Sequence, residues 1–540
     1  MIAPPRPATP SNSEENPESP PSLPSTGAVW LYLRNAAIVA IWLVGLFIGI
    51  RLVLLRSYNY DEISHAHTAW LISSDEVPYR QFAMNHLPFF RTILSPLLGL
   101  LPPAPVTLTC LRFGALALNA LFVCALGALV LAKLKPAERI WGAAVIGLFA
   151  TSSFVLQFLV ELRSDALANA LLFLSIFWLL GGANSSPTWK NMLAGFLIGT
   201  AVLVNTKYML LPLLLGIVAG IDALMKKSAI LPVMSAIALG CSVALLGGWL
   251  VLVSFHISVS DVWTMVVKYN LAVEQARTFG YGMAVTLTRH PLLLAASVAG
   301  ILSYLVSAVH RKIHTSPFEI SALLFLLLSL LTTTRPWKQY AASWLLLAAV
   351  FSALAGARAA VRLSSRRQFV LAAALLAGAV IGWSRADFAD PDGTPGVSRR
   401  EQHDLIEFAG QHLSQSDYVV AGFPLHPVFW RDSFFKVVID MRGAGGDNLE
   451  RTLPTLAAHD SGARWRQSGY AEQLEQRPPS LIVTPTLLTE AQNEAVSDYL
   501  KGHGADYQHF TLPASAVGGF LRGGGARSMR SPSEAREVVR

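Results

Sequence analysis

The sequence predicts an all-α polytopic membrane protein of about eleven transmembrane helices, followed by a small C-terminal α/β extramembrane domain. Three observations predict it. Hydrophobic residues make up 53% of the 540 and charged residues only 14%, with a mean hydropathy of +0.46, outside the range of soluble domains. Apolar segments close to the roughly twenty residues that cross hydrocarbon as helix recur along the chain. After residue 386 no such run remains, and short β-like stretches alternate with helical patterns.

The net charge of +8 does not point to nucleic acid. Many basic residues stand in short clusters between apolar spans: Lys133, Lys135 and Arg139; Lys226 and Lys227; Arg311 and Lys312; Arg358, Arg362, Arg366 and Arg367. Basic loops of this kind are held on the cytoplasmic side. The three cysteines, Cys110, Cys124 and Cys241, fall in apolar spans with no metal or disulfide spacing, and read as core packing.

Residues 1–27, rich in Pro, Ser and Glu, read as a disordered cytoplasmic tail. The first apolar run is too long for a signal peptide and reads as an uncleaved span opening a membrane domain over 28–386. Apolar segments centre near residues 41, 118, 148, 172, 199, 218, 242, 299, 325, 347 and 376. With the tail inside, the basic clusters follow spans two, six, eight and ten, all of them returns to the cytoplasm. This orientation predicts a multi-pass inner-membrane protein whose last domain, 387–540, is periplasmic. Within that domain, β-like runs lie at Tyr418–Gly422, Phe435–Met441 and Leu481–Thr484, helical patterns at Glu401–Leu413 and Thr489–Lys501, and a frayed end begins near Gly518.

The outer loop at 56–91 is the informative one. Its length is well above that of ordinary connections, and its Tyr, Trp and Phe residues, punctuated by Pro78 and Pro88, predict a folded cap on the membrane surface. Asp61 and Glu62 sit where an aqueous site meets the bilayer: a carboxylate there can take a proton from an incoming hydroxyl or amine, or simply favour a helix N-terminus. Arg163 and Asp165, at the outer start of span four, offer a guanidinium fork for phosphate oxygens and a second acid; alternatively they are a snorkelling cation and a cap. His86 fits either a structural hydrogen bond or a phosphate contact. Asp61 and His65 share a helical face at i, i+4, which supplies two of the three or four ligands a divalent metal needs, so no cofactor is fixed and a metal stays open. Lys207, Lys268, Arg277, Arg289, Arg335 and Lys338 are cations on the face where few are expected, suited to an anionic ligand such as a lipid phosphate or to headgroups. Trp337 and Tyr340 fit a sugar or lipid platform, or the interfacial aromatic belt.

These residues resemble the GT-C class of membrane glycosyltransferases, in its protein mannosyltransferase and aminoarabinose transferase-like branch. The resemblance rests on Tyr60, Asp61 and Glu62 after the first span, Val77 to Phe82 (with Tyr79 and Arg80), Asn85 to Phe90, and Arg163 to Leu167; it departs at Leu87, where relatives often carry a proline. It implies a GT-C-like fold and transfer of a sugar from a polyprenyl-phosphate donor to a glycan, lipid or protein acceptor. It further implies Asp61, with Glu62 beside it, as general base, Arg163 at the donor phosphate and Asp165 in support of the site; from the residues themselves, Tyr79, Arg80, His86, Lys207, Lys338 and Tyr340 are the further substrate-binding candidates. The rival readings are a secondary transporter and a non-catalytic polysaccharide-export subunit. Carriers place ionisable groups near the midplane, whereas these acids cluster at the outer ends of spans.

Overall fold

We describe the protein from a computed structural model, which covers residues 26–84, 86–181, 188–226, 231–268, 287–288, 290–310, 317–332, 338–384, 397–435, 469–484, 488, 490–513, 515 and 517–523. The tail expected at 1–27 lies outside the described residues up to 25, and its last two residues, Thr26 and Gly27, are helical instead; the loop cations Arg277, Arg289 and Arg335, Trp337, and the run expected from Phe435 to Met441 beyond residue 435 also lie outside the described residues.

A helix stands at each of the eleven expected centres, as hydrocarbon requires of a chain whose backbone groups must bond within their own segment. In chain order, with the cap and loop helices included, they are α1 Thr26–Leu55, α2 Tyr60–Ser73, α3 Phe89–Leu100, α4 Pro105–Leu131, α5 Pro136–Ala150, α6 Ser153–Leu159, α7 Ser164–Gly181, α8 Thr188–Val204, α9 Leu210–Lys226, α10 Leu231–Ser254, α11 Val259–Val262, α12 Pro291–Val309, α13 Pro317–Thr332, α14 Lys338–Ala360 and α15 Ser365–Ser384. Among the described residues, six helices are long and apolar enough to cross a membrane, or seven if α5 and α6, bent by 75° at their junction, form one span. Others are shorter: α8, with 17 residues, rises about 25 Å at 1.5 Å per residue, a little under the hydrocarbon thickness. The chain is a multi-pass membrane protein.

Helix α14 is the buried axis, enclosed by α5, α6 and α12, while α1 packs on α15 and α4 on α7. Small residues let α8 and α10 meet backbone to backbone: a Cβ at Gly195 would run into the Ile237 carbonyl, and one at Gly240 into that of Met192. The cysteines correct the expectation of core packing, because Cys110 and Cys124 are exposed on α4 and Cys241 is half-buried. An apolar side chain in a span is as well placed against lipid as against protein.

Charge marks the two ends of the bundle. Arg112 lies near the start of α4 among the acids of the cap, and Lys133 just past its end, ion-paired with Glu319 at 3.3 Å. Twenty-seven residues of helix separate those ends by roughly 40 Å.

The C-terminal part builds a five-stranded mixed sheet in the order β2-β1-β3-β5-β4, from β1 Tyr418–Val420, β2 Arg431–Asp432, β3 Pro479–Thr484, β4 Tyr507–Thr511 and β5 Gly518–Arg522. β1 runs parallel to β2 and β3, and β5 antiparallel to β3 and β4. Helices α16 Arg399–His412, α17 Tyr470–Gln476 and α18 Glu490–His503 accompany it. The end expected to fray at Gly518 is instead an inner strand, with Phe520 paired to Ile482 on one side and to His509 on the other. Its glycines serve close approach, since a Cβ at Gly519 would strike the Ile482 carbonyl. This domain is stitched to the cap: Ala83 donates its amide to the Phe435 carbonyl at 2.9 Å, Arg431 pairs with Glu76 at 3.1 Å, and Gln402 bonds both the amide and the carbonyl of Tyr58 at 2.8 Å.

Candidate active site

The site begins with a helix start. Asn59 accepts the Glu62 amide at 2.9 Å and Glu62 accepts the Asn59 amide at 3.1 Å, a reciprocal capping box that fixes the first turn of α2. Adjacent residues on a helix point in different directions, so the two acids of that turn part company.

Glu62 turns inward, to 2% exposure. Its carboxylate takes both prongs of the Arg112 fork, Nε at 2.7 Å and Nη2 at 2.6 Å, and the Leu162 amide at 3.1 Å. Arg112 also donates to the carbonyls of Arg56 and Ser57, each at 2.6 Å, under the Tyr58 ring at 4.1 Å. With its lone pairs occupied and its pairing bidentate, Glu62 holds the cap on the bundle and has no capacity left for proton transfer, contrary to its expected catalytic place.

Asp61 turns the other way and ends a chain of alternating charge. Arg56 donates to Glu161 at 2.6 Å; Glu161 accepts from Arg163 Nε at 2.5 Å; and Arg163 Nη1 donates to Asp61. Exposure grows along it, from 1% at Glu161 through 11% at Arg163 to 40% at Asp61. Burial opposes the Glu161 charge, but Arg163 and Arg56 outweigh it and hold the carboxyl well below its ordinary range. Burial likewise disfavours the Arg163 cation, which Glu161 and Asp61 secure. What emerges at the rim is one half-open carboxylate, held by a guanidinium whose far side is anchored.

Asp165 lies in the first turn of α7 and adds negative charge near Arg163, while Asn205 bonds Ser164 at 3.1 Å and approaches Asp165 at 3.5 Å. Arg163, Asp165 and Asp61 are thus brought together. Tyr79, expected to face substrate, is buried, and its hydroxyl donates to the His86 carbonyl at 2.5 Å; it fastens the cap loop. Arg80 is half-buried and His86 exposed beside it, with the His86 ring 6.4 Å from that of His65. Tyr340 packs partly buried against the main core in the first turn of α14. The side chains of Lys207, Lys268 and Lys338 lie outside the described residues.

A buried cluster with geometry compatible with a divalent metal forms around His67, not His65. His67, His426 and Asp432 bring their ligand atoms within 4.8 Å of one another. Asp432 accepts from His67 Nε2 at 2.7 Å and from His426 Nε2 at 2.9 Å. His67 Nδ1 donates to the Val428 carbonyl at 2.6 Å, the outer contact that suits a metal-binding histidine. His426 Nδ1, by contrast, accepts the Val428 amide at 2.9 Å, so its proton sits on Nε2, the atom facing Asp432. In this hydrogen-bond pattern both imidazole Nε2 atoms carry protons, and the Asp432 carboxylate is the ligand that is ready for an ion.

Sequence reasoning missed Arg112, Arg56, His426 and Asp432. Arg112 had a signal, a lone cation within an apolar run, which marks a buried partner. The histidine and acid of the outer domain lie more than 350 residues from His67, and nothing local foretells that meeting.

No protein-family profile matches the sequence, and no curated protein does. Solved structures do match. ArnT from Cupriavidus metallidurans in the apo state superposes with a TM-score of 0.54 at 13% identity, covering 90% of this chain and 97% of that one. The same protein bound to undecaprenyl phosphate gives 0.54 at 12%, covering 94% and 99%. The Archaeoglobus fulgidus oligosaccharyltransferase in complex with zinc and sulfate gives 0.48 at 13%, covering 89% and 73%. The fold is like that of these ArnT structures. In this frame the ionic chain joins the end of α1 to the turn before α7 and to the cap at Asp61, while Arg112 of α4 and the mixed-sheet domain hold the cap through Glu62 and Ala83.

Proposed function

We propose that the protein is a membrane glycosyltransferase that moves a sugar from a polyprenyl-phosphate donor to a glycan, lipid or protein acceptor on the outer face of the membrane, by a single inverting displacement. The carrying observation is the half-open Asp61 carboxylate held by the anchored Arg163 at the bundle's rim, within the ArnT-like fold. ArnT has been solved with undecaprenyl phosphate, and the same ligand chemistry suits a rim where a greasy chain stays in hydrocarbon while its phosphate reaches Arg163.

In this reading all eleven helical segments cross or enter the membrane, the tail is cytoplasmic, and the domain from 387 lies outside. The opposed ends of α4, acids and Arg112 at one and Lys133 at the other, support that orientation. In the resting site Arg163 occupies one oxygen of Asp61. When a donor phosphate takes the Arg163 fork, its hold on Asp61 relaxes as water is excluded, and Asp61 accepts the proton of the acceptor hydroxyl as that oxygen attacks the anomeric carbon. The departing phosphate is stabilised by Arg163, which Glu161 keeps oriented, with Asp165 supporting from α7. Arg80, His86, Lys207, Lys338 and Tyr340 are the remaining substrate contacts in this proposal.

The test is release of free polyprenyl phosphate from a labelled lipid-linked sugar by purified protein. Asp61→Asn abolishes release while the protein stays folded in the membrane; near-normal release by that variant removes Asp61 from its role, and no release by the wild type with any lipid-linked sugar removes the transferase reading.

A further inference from the structure

Helix α15 stands at the margin of the bundle. It packs along α1, yet only 17% of its apolar stretch is buried, so most of its surface meets lipid. Its start is fastened to the start of α1: Arg34 donates to the Gln368 side chain at 2.7 Å, and the Trp30 and Phe369 rings lie 5.3 Å apart. From Arg34 to Leu55, where the cap begins, α1 rises roughly 30 Å, one hydrocarbon thickness. The foot of α15 therefore lies at the membrane surface opposite the cap.

Positive charge collects at this foot. Arg362 in the turn from α14, and Arg366 and Arg367 in the first turn of α15, are exposed, and their guanidinium groups have no hydrogen bond or ion pair among the described residues. Their setting is unfavourable as it stands. The N-terminus of a helix carries partial positive charge, cations there destabilise it, and this first turn holds no acid to offset them. Acids of the neighbouring turns are committed, Glu319 to Lys133 at 3.3 Å and Glu138 to the Lys135 amide at 3.0 Å. A negative partner from outside the chain would relieve all three arginines.

The same face continues into the bilayer as an apolar stripe. Val370, Ala374, Ala377 and Ile381 are exposed, recurring at three and four residues from Arg366 and Arg367. From Val370 to Ile381 the stripe rises about 16 Å, half the hydrocarbon, which is the reach of one acyl chain in a single leaflet. Charge at the foot with an apolar stripe one leaflet tall fits a phospholipid. A soluble anion has no use for the stripe.

We propose that Arg362, Arg366 and Arg367 seat the phosphate of an anionic diacyl phospholipid in the leaflet opposite the cap, with an acyl chain along the α15 stripe. The guanidinium forks bond the phosphate oxygens. A headgroup with net negative charge is drawn to the patch, whereas a zwitterionic one brings its own cation. The seat lies a hydrocarbon thickness from Asp61, so it is not the place of a sugar donor, and it stands whether or not the chain transfers sugar.

The experiment follows thermal unfolding of the full chain in detergent, with phosphatidylglycerol or phosphatidylcholine added at equal mole fraction. Anything that binds only the folded state raises the midpoint with concentration. Phosphatidylglycerol should raise it in wild type and phosphatidylcholine should not, and 1 M salt, which shortens the Debye length to about 3 Å, should remove the difference. In the double variant Arg366→Gln, Arg367→Gln the lipid-free midpoint should equal or exceed that of wild type. Its phosphatidylglycerol binding should weaken about 25-fold, about fivefold for each cation lost beside a membrane phosphate. Arginines that only set topology give equal shifts with the two lipids, or a phosphatidylglycerol shift that the double variant leaves intact, and either result overturns the proposal. Should the double variant fail to accumulate, each single glutamine replacement is expected to weaken binding about fivefold; unchanged binding in both overturns the proposal.

Discussion

Arg112, from inside the apolar helix α4, grips both carboxylate oxygens of Glu62, at 2.7 and 2.6 Å. Among the described residues the neighbouring Asp61 is gripped at one oxygen only, by Arg163. Two consecutive acids therefore do unlike work, and their variants separate. Glu62→Ala leaves Arg112 buried and unpaired, a loss of about 3–5 kcal/mol, read as a lowered unfolding midpoint and poor recovery from the membrane. Asp61→Asn leaves the midpoint close to wild type and removes activity.

Arg163 serves two carboxylates with one planar fork, which a lysine cannot imitate. Arg163→Lys keeps the charge yet loses the geometry. Its rate of lipid-linked sugar turnover should fall by about 10²-fold or more, the scale of losing one preorganised donor at developing charge. Turnover within a factor of three of wild type would contradict the role of Arg163 in orienting both groups.

The cluster joining cap and outer domain predicts a stability optimum near neutral pH. Burial, with the charge on His67, pushes His426 down to about 4 from an ordinary 6.5, so the unfolded chain binds a proton that the folded one refuses, and stability falls as pH drops from 6.5 towards 4. Burial also opposes ionisation of Asp432, but His67 and His426 lower it to about 2 from 3.8, so its contribution, complete above 3.8, is lost between those values. For His67 burial disfavours the charge, and Asp432 with the Val428 carbonyl outweighs it and raises the pKa; that contribution is full below 6.5 and fades as pH rises through the higher folded value. Midpoints measured from pH 4 to 9 should trace this curve, with His426→Gln flattening the acid limb and Asp432→Asn the alkaline one.

The same cluster makes a prediction about metal. Because hydrogen bonds satisfy all three residues and His426 Nε2 carries the proton, chelation should leave the midpoint unchanged at pH 7. Added zinc should stabilise only weakly, since the His426 ring must give up the Val428 amide to act as a ligand. A midpoint that drops by several degrees in chelator would show that an ion belongs there.

Gly240 and Gly195 let α8 and α10 touch. Gly240→Leu should destabilise by about 2 kcal/mol or more, because the obstacle is the Met192 carbonyl and not a flexible side chain. Gly216→Leu, where a Cβ meets nothing within 4 Å, is the control and should be neutral in the same unfolding measurement.

Much of the fold was legible because hydropathy is a local property: each apolar segment needs only its own twenty or so residues to declare a helix. The outer domain was half legible for the same reason, β1 and β3 being continuous apolar runs, whereas β4 and β5 hide behind polar and glycine residues whose strand character comes from pairing. At the site, Asp61, Arg163 and Asp165 could be picked out because acids and arginines at the ends of spans are few. Their division of labour could not. Whether Glu62 or Asp61 is buried depends on where Arg112 sits, and whether Tyr79 faces out depends on the path of the chain at His86.

The backbone bond from Ala83 to Phe435 makes the outer domain a handle on the loop that carries His86. An antibody fragment or a neighbouring protein that tilts the sheet would pull on that loop from a distance, and so be felt at Asp61 without ever entering the bilayer.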